Sequence, residues 1–254
     1  MHLLLTNDDG VHAEGLQAMI ATFRPLARLT VVAPDRERSA VGHSLTFHSP
    51  LRVRKLEEQG NYVCYSTDGT PTDCVLLALY DLLAEDRPDL VLSGINRGSN
   101  LGDDVTYSGT VAAALEGMIH GVPSVAFSQP RSKPMHYETA ARVAVRMVEA
   151  IQRYGMPSKT LLNVNVPALP EDQLKGVQVT RQGHTEYSQR IVKRVDPWGT
   201  EYFWVSGDAP RGEPLPGTDF GAIENGYVSV TPLHCNLTHL EQLEALRAWQ
   251  IDLR

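Results

Sequence analysis

The sequence predicts an α/β fold, with a largely parallel sheet and helices on both faces, continued at its C-terminal end by a β-rich extension. Three observations predict it. Short apolar runs rich in Leu and Val alternate with segments of helical spacing as far as residue 166. The connections between them are short, an arrangement that places parallel strands side by side with helices over the sheet. After Pro170 the alternation stops, and short β-branched or aromatic runs are separated by Gly- and Pro-rich stretches.

The elements follow in order. Leu3, Leu4 and Leu5 open a strand over residues 3–6. Residues 15–23 carry Leu16, Met19, Ile20 and Phe23 on one helical face. Residues 29–33 form a β-branched strand ended by Pro34. Residues 51–55 and 62–66 read as a hairpin around the polar stretch 57–61. Thr70 suits an N-cap and Pro71 the first helical position, so a helix is expected from residue 70 to about 83. A strand at 90–93 precedes a small-residue helix at 108–119 that stops at Gly121. A strand at 125–128, a long helix at 137–154 and a strand at 161–166 complete this Rossmann-like core. The extension contains strands at 177–180, 202–205 and 227–230, then an amphipathic helix over 237–253. Residues 1–170 therefore read as a catalytic core, and 171–254 as an extension.

Composition narrows the function. With 254 residues, 42% of them hydrophobic, the chain can bury a substantial core. Its net charge of −7 argues against binding nucleic-acid polymers, because phosphate contacts need clustered Lys and Arg. A small phosphorylated substrate held through a metal is compatible with that charge. No apolar stretch is long enough to span a bilayer, and the N-terminus lacks a basic segment followed by a long apolar core. Cys64, Cys74 and Cys235 are widely spaced with no Cys-x-x-Cys pair, against a disulfide framework or structural zinc. A cytoplasmic location is expected.

Four polar segments follow predicted strands, at the sheet edge where ligands of open α/β folds bind. Thr6-Asn7-Asp8-Asp9-Gly10 follows the first strand, and its adjacent carboxylates repel unless a hard cation such as Mg²⁺ sits between them. The same residue types also make an ordinary polar turn. After the second strand, Ser39 can offer a hydroxyl to a metal, and Arg36, Arg38 or His43 can face an anion. After residues 90–93, Gly94, Gly98 and Gly102 recur every four residues, a spacing that lets backbone amides approach an anion. Within that stretch Asn96 carries a neutral oxygen that a metal can use. Finally Ser108, Gly109 and Thr110 stand at a helix start, where free amides and the helix dipole favour phosphate. A bulky residue at Gly109 is expected to block phosphate while leaving metal affinity nearly unchanged.

Jointly these segments suit metal-assisted hydrolysis of a phosphate ester. Asp8 and Asp9 would hold the cation, Mg²⁺ or Mn²⁺, and one of them would orient or deprotonate a water. Asn96 would bridge the metal and phosphate regions. Other chemistries lack their parts: there is no Gly-x-Gly-x-x-Gly after a strand, no Gly-x-x-x-x-Gly-Lys-Ser/Thr, no Gly-x-Ser-x-Gly and no His-Glu-x-x-His. An alternative of another class is a receiver-like, metal-binding signalling module without hydrolytic activity, with Lys133 imitating its lysine. The chain is large for that fold, and no strand-end aspartate stands out as a phosphoacceptor. A phosphatase that forms an aspartyl-phosphate would want Asp-x-Asp where this chain has adjacent acids.

The ordered set of motifs resembles the SurE family, stationary-phase survival proteins that act as nucleoside monophosphate phosphatases. The matching segments are Leu4-Leu5-Thr6-Asn7-Asp8-Asp9-Gly10, Ala33-Pro34-Asp35 and Arg38-Ser39. They continue with Gly69-Thr70-Pro71-Thr72-Asp73-Cys74-Val75 and Ser93-Gly94-Ile95-Asn96-Arg97-Gly98-Ser99-Asn100, and end on the stretch from Tyr107 to Gly117. The resemblance covers essentially the whole chain and is weakest over 171–235. It implies one divalent metal ion per subunit, held by Asp8, Asp9, Ser39 and Asn96. It also implies hydrolysis of nucleoside 5′- and 3′-monophosphates, short polyphosphate as a further substrate, and a C-terminal part that reaches across to a partner subunit in a homodimer or homotetramer.

Overall fold

The computed structural model describes residues 1–188, 190–207, 211–249 and 251. The predicted alternation is present. Strand β1 (His2–Thr6) leads to helix α1 (Glu14–Phe23) and β2 (Arg28–Pro34). The hairpin is β3 (Val53–Gln59) and β4 (Tyr62–Thr67). Helix α2 (Pro71–Leu77) widens into a π-helical turn over Ala78–Leu82, and is followed by β5 (Leu90–Arg97), α3 (Gly109–Ile119) and β6 (Ser124–Gln129). Helix α4 (Tyr137–Tyr154) and β7 (Leu161–Asn165) close the core.

In the extension, β8 (Val177–Val179), β9 (Thr185–Glu186), β10 (Arg190–Val195), β11 (Glu201–Ser206) and β12 (Arg211–Gly212) precede α5 (Asp219–Glu224) and β13 (Val228–Leu233). Nine strands form one sheet in the order β3-β4-β2-β1-β5-β6-β7-β13-β8. The six from β4 to β7 are mutually parallel. Two of the extension's strands thus belong to the main sheet: β13 runs antiparallel to β7 and carries β8 beside it. Among the described residues, strands β10 and β11 pair only with each other.

Side-chain alternation along the parallel strands distributes the core over both faces. Leu3, Leu5, Leu29, Val31, Leu92 and Phe127 pack with residues of α1 and α4. Leu4, Val32 and Val91 face the other way, against Cys74, Val75 and Leu79 of the α2 region and Ala113 of α3. Strand β1 is central. The chain moves outward from it through β2 and β4, then returns to lay β5 on its other side, so order reverses between β1 and β5. A crevice opens at the carboxyl ends of strands at such a point. Asp8 and Asp9 follow β1 there, and Asn96 stands near the end of β5.

The expected C-terminal helix over 237–253 is much shorter. A 3₁₀ turn at Leu240–Gln242 leads into α6 (Leu243–Arg247), and residues 250 and 252–254 lie outside the described set. Leu237, Leu240, Leu246 and Trp249 are exposed. An amphipathic pattern without a surface to bury its apolar face does not sustain a long helix. No helix among the described residues is long and apolar enough to cross a membrane.

Candidate active site

A pocket of about 570 Å³ sits in the crevice. Asp8, Ser39, Asn96 and Ser108 all line it, together with Arg97, Arg131, Asn100, Leu101, Tyr107 and Phe220. Of the remaining predicted residues, Asp9, Gly109 and Thr110 do not line it but bear directly on those that do.

Asp8 is the best-buried of these acids, only 4% exposed. Its Oδ1 accepts a hydrogen bond from the Thr110 hydroxyl at the start of α3. Its backbone carbonyl accepts from Arg38 N at 2.7 Å. Burial pushes its carboxyl up to about 6, the Thr110 bond opposes that, and the neighbouring Asp9 adds to it. Asp9 is half-buried, and its Oδ2 accepts from the backbone N–H of Arg97 at 2.9 Å. Its carboxyl is also raised, by burial first, against the lowering effect of that bond. Neither carboxylate forms an ion pair among the described residues.

The other oxygens are disposed differently. Asn96 donates Nδ2 to the carbonyl of Gly98 at 2.9 Å, which leaves its Oδ1 as the uncommitted end of the amide. Ser39 is exposed, and its hydroxyl donates to Glu37 Oε1 at 2.6 Å. Ser108 is the N-cap of α3 and its Oγ accepts from Val111 N at 3.1 Å. That bond satisfies one of the orphan amides of the helix start and leaves others free.

These donors fit a divalent cation. Two adjacent carboxylates, one deeply buried and neither in an ion pair among the described residues, concentrate negative charge that a cation relieves. Among the described residues no three of His, Cys, Asp or Glu cluster, so the set consists of carboxylates and neutral oxygens. Oxygen donors of this kind are those that hard cations use.

Several expectations about individual residues are corrected. Gly109 is not remote from the metal region, because a Cβ there would lie 2.9 Å from Asp8 Cβ and 3.0 Å from Asp8 Oδ2. Arg38 turns its guanidinium to the carbonyl of Asp68, and His43 pairs with the Glu116 carboxylate at 2.6 Å, and neither lines the pocket. Of the three glycines, Gly98 lines the pocket with its N–H given to Gln129 O at 2.9 Å, while Gly94, inside β5, and Gly102 serve close packing. Gly94 has φ of +131°, and a Cβ there would meet Phe127 O at 2.3 Å.

Residue-by-residue inspection missed Arg97, Arg131 and Asn100. Arg131 follows β6, so the strand-end rule applied to a fourth strand would have found it; its Nε donates to Arg97 O at 3.1 Å. Asn100 anchors the loop after β5. Its N–H donates to Asn165 Oδ1, its Nδ2 to Ser128 Oγ, and its carbonyl accepts from Asn163 and Asn165, all within 2.9 Å.

Known proteins are similar to this chain in sequence and fold. A family model described as "Survival protein SurE" matches residues 3–189. The chain is 51% identical over 249 residues to the 5'-nucleotidase SurE of Methylococcus capsulatus, covering 98% of this chain and 97% of that one. It is 48% identical over 253 residues to the 5'-nucleotidase SurE of Geobacter sulfurreducens, covering 99% and 95%. The crystal structure of the SurE protein from Aquifex aeolicus superposes with a TM-score of 0.83 at 45% identity, covering 97% of this chain and 98% of that chain. On the match over residues 3–189 and these near-full-length identities, the chain belongs to the survival protein SurE family.

Proposed function

We propose that this chain is a divalent-metal-dependent 5′-nucleotidase, which hydrolyses nucleoside 5′-monophosphates to nucleoside and phosphate. Nucleoside 3′-monophosphates and short polyphosphate are proposed as further substrates. The carrying observation is the Asp8–Asp9 pair, without an ion pair among the described residues, beside a helix N-terminus and at a pocket of about 570 Å³. The relatives named 5'-nucleotidase SurE, alike over nearly the whole chain, support the same reading.

Asp8, Asp9, Ser39 and Asn96 would hold one Mg²⁺ or Mn²⁺ ion per subunit. When bound, the ion supplies Lewis-acid polarisation of a phosphoryl oxygen and a water of lowered pKa. Thr110 fixes the rotamer of Asp8 through its hydroxyl. One carboxylate oxygen of the acid pair orients the attacking water and accepts its proton. The backbone amides of Ser108 and Gly109, with that of Thr110, which also acts on the Asp8 carboxyl, would donate to equatorial phosphoryl oxygens as charge builds. Asn96 bridges the metal and phosphate regions. Arg97 and Arg131 add positive potential at the mouth of the pocket, offsetting the acids for an incoming anion.

We further propose a cytoplasmic homodimer or homotetramer, with residues 1–170 as the catalytic core and 171–254 as the assembly unit. Ile191, Phe203, Trp204 and Val205 of the β10–β11 hairpin are each more than half exposed, which supports an interface there. The activity is tested by phosphate release from a nucleotide panel with and without Mg²⁺ or Mn²⁺. Metal-stimulated release from nucleoside monophosphates is expected. Absence of release with either ion would favour the receiver-like metal-binding module instead.

A further inference from the structure

The pocket is lined by two chemically different sets of residues. One is polar, with Asp8, Asn96 and Ser108; the other is apolar or aromatic, with Leu101, Tyr107 and Phe220. A phosphoryl group uses only the first, and the second has no part in the chemistry described so far.

Phe220 is held in place by an arrangement that spans the chain. A Cβ at Gly102 would lie 2.7 Å from its ring, one at Gly183 2.8 Å, and one at Gly212 2.3 Å. Three glycines from separate segments therefore make the slot in which the ring sits. Its neighbour Asp219 is fully buried and clamps the same segments: Oδ2 accepts from Gly102 N and Oδ1 from Gly183 N, each at 2.8 Å. A buried carboxylate taking two backbone N–H bonds is a rigid tie. The ring is thus fixed while part of it stays open to the pocket. Tyr107, of the same set, is 56% exposed and meets Tyr187 edge-to-face at 6.4 Å, with the Tyr187 hydroxyl donating to Asp104 at 2.8 Å.

From this geometry we infer that Phe220 is a specificity-determining residue, whose ring packs against the nucleobase of the substrate. The inference rests on the nucleotidase reading and adds to it the part of the site that recognises the nucleoside. The physical reason is that every base has a π-face, so a fixed aromatic ring binds bases without choosing strongly among them. Because the ring is supplied by α5 and its slot by Gly183 and Gly212 of the extension together with Gly102 of the core, the extension completes the substrate site made by the core.

The test compares AMP with ribose 5-phosphate, which has the same phosphate and sugar but no base. In Phe220→Leu, folded by its melting curve, kcat/KM for AMP should fall roughly tenfold through KM, the size of one base–aromatic contact. Hydrolysis of ribose 5-phosphate should be unchanged. Phe220→Tyr should restore the AMP preference. Gly212→Ala, which pushes the ring from its slot, should reproduce the selective loss if the Leu variant does not fold. Parallel losses on both esters in a folded variant, no loss on AMP, or a wild-type enzyme indifferent to the base would each overturn the inference. A wild-type enzyme that hydrolyses neither ester with Mg²⁺ or Mn²⁺ would overturn the nucleotidase reading. Calorimetry then decides the base contact separately: AMP must bind more tightly than ribose 5-phosphate, and only with Phe220 intact.

Discussion

Gly109 stands so close to Asp8 that any side chain on it would press on the carboxylate, 2.9 Å from Cβ and 3.0 Å from Oδ2. Pro71 Cγ closes the other side at 3.2 Å. The proposed phosphate cradle and the proposed metal region are therefore packed against each other. Gly109→Val should lower metal affinity as well as phosphate affinity, and even Gly109→Ala should weaken both. Calorimetric titration with Mn²⁺, followed by phosphate, checks this. Retained metal affinity in the Val variant would show that Asp8 is not a ligand or that the helix start yields.

Asp8→Asn should separate activity from stability. It removes a charged oxygen at the centre of the proposed metal site, so turnover should fall about 10²-fold or more at saturating Mn²⁺. The metal-free protein should be no less stable than wild type, because the buried carboxylate has no cationic partner to lose. Near-normal turnover would remove Asp8 from the chemistry, and a large fall in melting temperature would show that its charge supports the fold.

Glu116 gives a stability prediction with a definite sign. Its carboxyl is 4% exposed, held between His43 at 2.6 Å and His120 at 2.9 Å. Burial pushes it up, but the hydrogen bonds and charges of the two imidazoles outweigh burial and bring it below its ordinary value of 4.5. A carboxylate depressed on folding stabilises the native state above its unfolded pKa and loses that contribution as pH falls through the folded value. Glu116→Gln should therefore melt below wild type at pH 7, with the difference shrinking as pH drops below 4.5. Melting curves from pH 7 to 3 check it; a gap that widens in acid would refute the sign.

The hairpin of β10 and β11 bears on assembly. A two-stranded sheet is marginal in water without a surface to cover it. Phe203→Glu with Trp204→Glu should convert a dimer or larger species to monomer, read by light scattering at micromolar concentration. A wild-type monomer under those conditions would remove the proposed interface.

The parallel core was legible because its signals are local. Apolar runs, the Thr70–Pro71 helix start and the Ser108 cap each need only a few neighbouring residues. Much of the candidate site was legible for the same reason, since Asp8 lies just past β1, Asn96 near the end of β5 and Ser108 at the cap of α3. What could not be read was contact between distant segments. Phe220 gave no sign of reaching Gly102, nor His43 of reaching Glu116, because neither pair has a spacing rule. The long C-terminal helix was misjudged for a related reason: its periodicity is real, but no face of the molecule covers it.

Strand β13 bears on how the protein is made. It supplies the hydrogen-bonding partner for the outer edge of β7, from Leu161 to Asn165. A growing chain cannot cover that edge until residue 233 has left the ribosome and folded back. Through the synthesis of the whole intervening segment, the last parallel strand of the nascent core presents unpaired amides and carbonyls to its surroundings. A ribosome stalled within the extension should therefore carry a core open to chaperones and to strand exchange with a second nascent copy.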